Sequence, residues 1–189
     1  MTGSKRSLII GLVGEIASGK TTATDYLVEK YGAEPYKFSS MLRDILSRLH
    51  LETTRENLQK LSTAVRQLFG DNVMSKAISQ DLSGATASLI VAEGIRRLSD
   101  IEYLKELSNF VVVAIDADAR TRYERITQRS ENADDRAKTW DAFVHESQQE
   151  PEQKIREVMN DAKYVLDNNG FIEEFHAQID GLMARLRDL

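Results

Sequence analysis

The 189-residue sequence contains no cysteine. That excludes disulfide scaffolds, thiolate nucleophiles, cysteine-ligated zinc and iron–sulfur clusters, and it permits a reducing compartment. Two prolines and ten glycines are too few for a low-complexity linker, so one domain over residues 1–189 is expected. The three histidines, His50, His145 and His176, lack the spacing of metal ligands. No apolar run is long enough to cross a membrane. Lys5-Arg6 and the apolar run after it are the only feature resembling a secretion signal, but the run is short and leads into glycine-rich sequence without a small-residue cleavage site. A cytoplasmic location is therefore expected. Acidic residues outnumber basic ones, 30 to 25, so the overall field repels nucleic acid and anionic lipid, and any phosphate site has to be local.

What the chain does have is an alternation of short apolar runs and amphipathic stretches. Ser7 to Val13, Ser88 to Ala92 and Phe110 to Ile115 are apolar and rich in β-branched residues, as strands buried on both faces of a parallel sheet should be. Tyr36 to Phe38 and Tyr164 to Leu166 read as two shorter strands. Helices are predicted over about 19–31, between the third and fourth strands with Ser99 and Glu102 as its cap, over 117–129, and at the end, where Ile172, Phe175, Ile179, Leu182 and Leu186 fall on one face. Residues 40–83 form a helical excursion: Leu42, Ile45, Leu46 and Leu49 share one stripe and Leu58, Leu61, Val65 and Leu68 another, the second preceded by Thr53 and Glu56 at capping-box spacing. The grammar is βαβ, and it predicts an α/β sandwich around a five-stranded parallel sheet.

Between the first strand and its helix stands Gly14-Glu15-Ile16-Ala17-Ser18-Gly19-Lys20-Thr21, which satisfies the phosphate-loop pattern in the required strand-to-helix context. Glycines at both ends let the backbone curl so that successive N–H groups point inward, and the helix that follows adds free N–H donors and the positive end of its dipole. Lys20 supplies a mobile charge for β- and γ-phosphates, the Thr21 hydroxyl is a hard oxygen suited to Mg²⁺, and Thr22 can donate to the α-phosphate. Gly14, Ala17, Ser18 and Gly19 complete the cradle. The third strand ends in Glu93, an acid at the carboxyl edge where open α/β sheets place their ligands; it is the candidate metal carboxylate.

These residues resemble the nucleoside-monophosphate kinases, of which adenylate kinase is the best-known member. The resemblance implies a P-loop kinase that uses ATP and Mg²⁺, with an acceptor-binding helical insertion at about 40–85 and a lid at about 130–149. Ser40-Met41-Leu42-Arg43 is similar to the family segment whose arginine grips the acceptor phosphate, which implies that role for Arg43 with Ser39 beside it. Glu93-Gly94-Ile95-Arg96-Arg97 resembles the segment after strand three, which implies an acceptor grip from Arg97, the match by spacing, or from Arg96 as the additional candidate, with Glu93 beside them. Arg125 and Arg129 look like the family's arginine pair before the lid, which contacts the donor nucleotide and the migrating phosphoryl group, and Arg136 is a further phosphate-binding candidate. Trp140 and Phe143 are expected to hold the lid helix against the body.

Dephospho-CoA kinase, a relative with a hydroxyl acceptor, has an aspartate at the end of strand two, where this chain has Ser39-Ser40, with Asp44 a turn later. An alcohol must lose a proton and a phosphate need not, so the substitution favours a nucleoside or deoxynucleoside monophosphate. The stretch from Ala162 to Gly170 nevertheless resembles the tail of dephospho-CoA kinases, which places Asn169 and Gly170 by the donor adenine. The glutamine with which adenylate kinases read the acceptor adenine has no counterpart in Leu98 to Ile101. A small-molecule nucleotide is the expected partner, with the chain acting as a monomer or homodimer. An ATP-dependent switch is the reading from a different class.

Overall fold

The first apolar run forms β1 (Leu8–Val13), and its pleat divides the core in two. Ile10 and Leu12 point to one side and Ile9 and Val13 to the other, all at most 1% exposed. In a computed structural model that describes residues 7–128 and 138–187, β1 lies at the centre of a five-stranded parallel sheet of order β2-β3-β1-β4-β5. The other strands are β3 (Leu89–Glu93) and β4 (Phe110–Asp116), which flank it, and β2 (Glu34–Lys37) and β5 (Tyr164–Asp167) at the edges. The register aligns Gly11 with Ala92 on one side and with Val112 on the other.

Eight α-helices occur among the described residues: α1 (Lys20–Tyr31), α2 (Ser39–Arg48), α3 (Arg55–Phe69), α4 (Val73–Ser83), α5 (Ala119–Gln128), α6 (Trp140–Ser147), α7 (Glu150–Asn160) and α8 (Ile172–Arg187). Helices α1 and α8 cover one face of the sheet, where Leu27, Phe175, Ile179 and Met183 pack on Ile10, Leu12 and Ile115. On the other, Ile78 and Leu82 of α4, Ile155 and Val158 of α7, and Ile101 and Leu104 meet Ile9, Val13 and Ala114. No helix among the described residues is long and apolar enough to cross a membrane.

The structure corrects the sequence reading at several joints. The helix expected between β3 and β4 is two 3₁₀ turns, Leu98–Asp100 and Leu104–Glu106. The acid in the first of them bonds back to the chain before it, which tightens the turn rather than opening a helix. Helix α3 is capped by Thr54, whose hydroxyl accepts from the Asn57 N–H at 3.2 Å, not by Thr53. Strand β2 lies two residues earlier than expected at its start. Residues 150–160, where the sequence pattern predicts no helix, form α7. Phe143 is 1% exposed, and Trp140 meets Tyr123 of α5 edge-on at 5.3 Å, so the aromatic pair does fasten this segment to the body.

Candidate active site

The site opens at the carboxyl edge of β1, where the strand order reverses between β3 and β4. A Cβ at Gly14 would come within 2.6 Å of the Ile115 carbonyl, so the loop lies against β4 because nothing larger fits. Gly19 has φ 110°, and a Cβ there would collide with the Asn168 amide. Ala17 also has a positive φ, 61°, so the loop turns sharply on either side of Ser18.

Lys20 folds back over this loop, its Nζ donating to the Gly14 carbonyl at 2.6 Å and to the Glu15 carbonyl at 2.9 Å. Burial lowers its pKa to about 8; Glu152 and Glu93 oppose the shift, while Arg96 and Arg122 add to it. Thr21 and Thr22 are exposed on the first turn of α1. One turn later the buried Thr24 hydroxyl donates to Glu93 Oε1 at 2.5 Å, which fixes one carboxylate oxygen and leaves Oε2 for other work. Among the described residues no group of three histidine, cysteine or acidic side chains stands ready for a metal. A threonine hydroxyl and one carboxylate, both hard oxygen donors, suit Mg²⁺ that takes its remaining oxygens from phosphate and water.

Beside the loop, β2 pairs with β3 so that Lys37 is aligned with Glu93, and the Phe38 N–H donates to the Glu93 carbonyl at 2.9 Å. Ser39 therefore starts α2 beside Glu93, with Arg43 one turn further on and exposed. Arg96 and Arg97 sit on a loop that Asp100 organises. One Asp100 oxygen accepts from both backbone N–H groups at 2.8 and 3.1 Å, and the other pairs with Arg66 of α3 at 2.6 Å. Arg66 and Asp100 side chains are 8% and 2% exposed. Neither was read from the sequence; Asp100 lies in the stretch searched there for a glutamine.

Arg125 donates to the Asn168 carbonyl at 2.8 Å, and burial lowers the pKa of its guanidinium. Asn168, 5% exposed, also donates through Nδ2 to the Ser18 carbonyl at 2.8 Å. Sequence reasoning named its neighbours instead. Asn169 accepts from the Asp118 N–H at 2.7 Å and donates to Asp167 at 2.6 Å, so its side chain joins β5 to the start of α5. Gly170 is exposed, next to Glu174. Arg129, Arg136 and the first part of the expected lid lie outside the described residues.

Comparison with known proteins places this geometry. Residues 13–142 match the family model described as AAA domain. The chain is 30% identical over 186 residues to a UPF0200 protein of Hyperthermus butylicus, covering 98% of each. A UPF0200 protein of Methanocaldococcus jannaschii is 26% identical over 183 residues, or 95% of this chain and 90% of that one. Shikimate kinase from Bacteroides thetaiotaomicron has a TM-score of 0.64 at 13% identity, covering 95% of this chain and 98% of that one. Shikimate kinase from Acinetobacter baumannii in complex with shikimate has a TM-score of 0.52 at 19% identity, covering 97% and 95%. The fold is that of the P-loop kinases.

Proposed function

We propose, from the premise that the chain belongs to the UPF0200 family and carries an AAA domain, that it transfers the γ-phosphoryl group of Mg²⁺-ATP to a nucleoside or deoxynucleoside monophosphate. The observation that carries this reading is the phosphate loop with Lys20 drawn over it, at the sheet edge where β3 runs out into Arg96 and Arg97 and Ser39 starts α2.

In this mechanism Lys20 exchanges the Gly14 and Glu15 carbonyls for β- and γ-phosphoryl oxygens, while the loop N–H groups and the start of α1 hold the rest of the tail. Arg43, Arg96 and Arg97 fix the acceptor phosphate. Its oxygen attacks the γ-phosphorus in line, the bond from that phosphorus to the β–γ bridging oxygen breaks, and ADP departs with the electron pair. Arg125, Arg129 and Arg136 offset charge on the migrating group and the donor. Thr21 and Glu93 would hold Mg²⁺, which neutralises phosphate charge when bound. The segment at 130–149 acts as the lid that keeps water from the γ-phosphate.

A second reading is favoured by one observation: Glu93, with one oxygen held by Thr24, stands beside the end of β2 where a hydroxyl acceptor would arrive. A carboxylate there can take a proton, as a dephospho-CoA kinase requires. The test is ADP release with a panel of nucleoside monophosphates, deoxynucleoside monophosphates and dephospho-CoA. Acceptance of one or more monophosphates is expected. Activity confined to dephospho-CoA selects the second reading, and slow hydrolysis indifferent to every acceptor points to an ATP-dependent switch.

A further inference from the structure

Glu15 is the second residue of the phosphate loop, a position at which the motif allows any side chain, yet it is 7% exposed and held from two directions. Arg122 of α5 reaches its Oε2 at 2.9 Å, and Arg156 of α7 reaches its Oε1 through Nη2 at 2.7 Å and Nε at 2.9 Å. The neighbouring residue of the loop is held too: the Ile16 N–H donates to Glu152 Oε2 at 3.4 Å. Glu152 and Arg156 are four residues apart on α7 and so share one face of it. Helix α7 therefore grips two consecutive loop residues from one face while Ile155 and Val158 anchor it in the core.

We propose that Glu15, Arg122 and Arg156 form a positioning clamp that sets the phosphate loop for the donor triphosphate and couples it to α7. This rests on the nucleotide-binding reading above and adds positioning residues to it. Glu15 alone does not balance the two arginines; Glu152, on the same face of α7 and bonded to the next loop residue, supplies the second negative charge. Arg122 is 2% exposed; its Nε donates to the Ala117 carbonyl at 3.0 Å, and its Nη1 is buried with no partner among the described residues. Buried donors are as a rule paired, so this one is available to a ligand or water oxygen. Its charge also bears on Lys20, so the clamp and the lysine belong to one electrostatic site.

Positioning and simple charge make opposite predictions for Glu15→Gln. If the clamp acted only through charge, removing the acid would take one negative charge from beside the loop and tighten triphosphate binding. If it positions the loop, binding weakens. Calorimetry with Mg²⁺-ATP and with adenosine, on the wild type and on Glu15→Gln, Arg122→Gln and Arg156→Gln, separates the two, with thermal unfolding of each as a control on folding. Expected is at least a tenfold loss of ATP affinity for Glu15→Gln and Arg122→Gln and at least a threefold loss for Arg156→Gln, with adenosine binding changed less than twofold. Unchanged or tighter ATP binding by folded Glu15→Gln overturns the proposal. The Arg156 side chain is 45% exposed, so Arg156→Gln is expected to fold even where the buried variants do not, and unchanged ATP affinity in it also overturns the clamp. A wild type that binds ATP but transfers nothing to any acceptor refutes the kinase reading and leaves the clamp standing. Active wild type with indifferent variants refutes the clamp alone, and a wild type that binds no ATP refutes both.

Discussion

Asn168 spans 150 residues of sequence to donate its side-chain amide to the Ser18 carbonyl at 2.8 Å. Its own carbonyl accepts from Arg125, and its N–H bonds to the Asp116 carbonyl at 2.8 Å. One buried residue thus ties together the phosphate loop, the end of β4 and the arginine assigned to the donor. Removing the side chain leaves the Ser18 carbonyl unpaired in a buried setting, which costs about 1–3 kcal/mol. Asn168→Ala is expected to lose that much in urea unfolding and to weaken ATP binding severalfold. A variant with unchanged midpoint and affinity would show that the bracket has no consequence for the loop.

Lys20 gives a pH dependence whose sign follows from its surroundings. Burial lowers its pKa to about 8 from an ordinary 10.5, so in the free protein the ammonium is lost as the pH rises above about 8. Phosphate oxygens favour the charged form, so ATP binding above that pH should take up a proton and should weaken with each further step in pH. Calorimetry at pH 8.5 in two buffers of different ionisation enthalpy measures the uptake directly. Lys20→Arg is expected to abolish it, and Lys20→Ala to cut turnover at least tenfold with the fold retained. Equal heats in both buffers would remove the basis for the prediction.

The buried pair of Arg66 and Asp100 predicts an effect confined to the acceptor. Asp100 holds the backbone of Arg96 and Arg97 and neutralises Arg66; deleting it leaves a buried guanidinium uncompensated, at a cost of about 3–5 kcal/mol. Asp100→Asn retains the shape and removes the charge. It is expected to lower stability and to raise the acceptor KM at least fivefold while the ATP KM changes less than twofold. Equal rises in both would locate the damage in the sheet and not in the acceptor loop.

How much of this could be read beforehand depends on the range of each signal. The loop from Gly14 to Thr21 and the β-branched runs are local patterns, so motif and strands were legible. Helix α7 was not, because Ile155, Val158 and Met159 give only a narrow stripe among Glu, Gln, Lys and Arg, which is compositionally indistinguishable from a polar loop. Glu15 carries no local signal at all: its role exists only once α5 and α7 bring Arg122 and Arg156 to it. Asn168 was passed over for Asn169 and Gly170 because an Asn-Asn-Gly run announces a turn but not which of its amides reaches across the sheet. The expected helix at Ser99 failed for the converse reason, a good local cap spacing overridden when Asp100 turned back to the Arg96 and Arg97 amides.

The contact of Thr24 with Glu93 yields a test of the metal assignment. Thr24 is 5% exposed, and its hydroxyl fixes Glu93 Oε1. Thr24→Val keeps the volume and removes the donor, freeing the carboxylate to rotate. If Glu93 serves Mg²⁺, both Glu93→Gln and Thr24→Val should raise the Mg²⁺ concentration required for half-maximal turnover, the first at least tenfold and the second about threefold, with ATP affinity in the absence of Mg²⁺ unchanged. If Glu93 serves instead as the base for a hydroxyl acceptor, Glu93→Gln lowers turnover at every Mg²⁺ concentration. The two roles thus separate on a single magnesium titration, and a Glu93→Gln variant with wild-type behaviour throughout it would exclude the residue from the chemistry altogether.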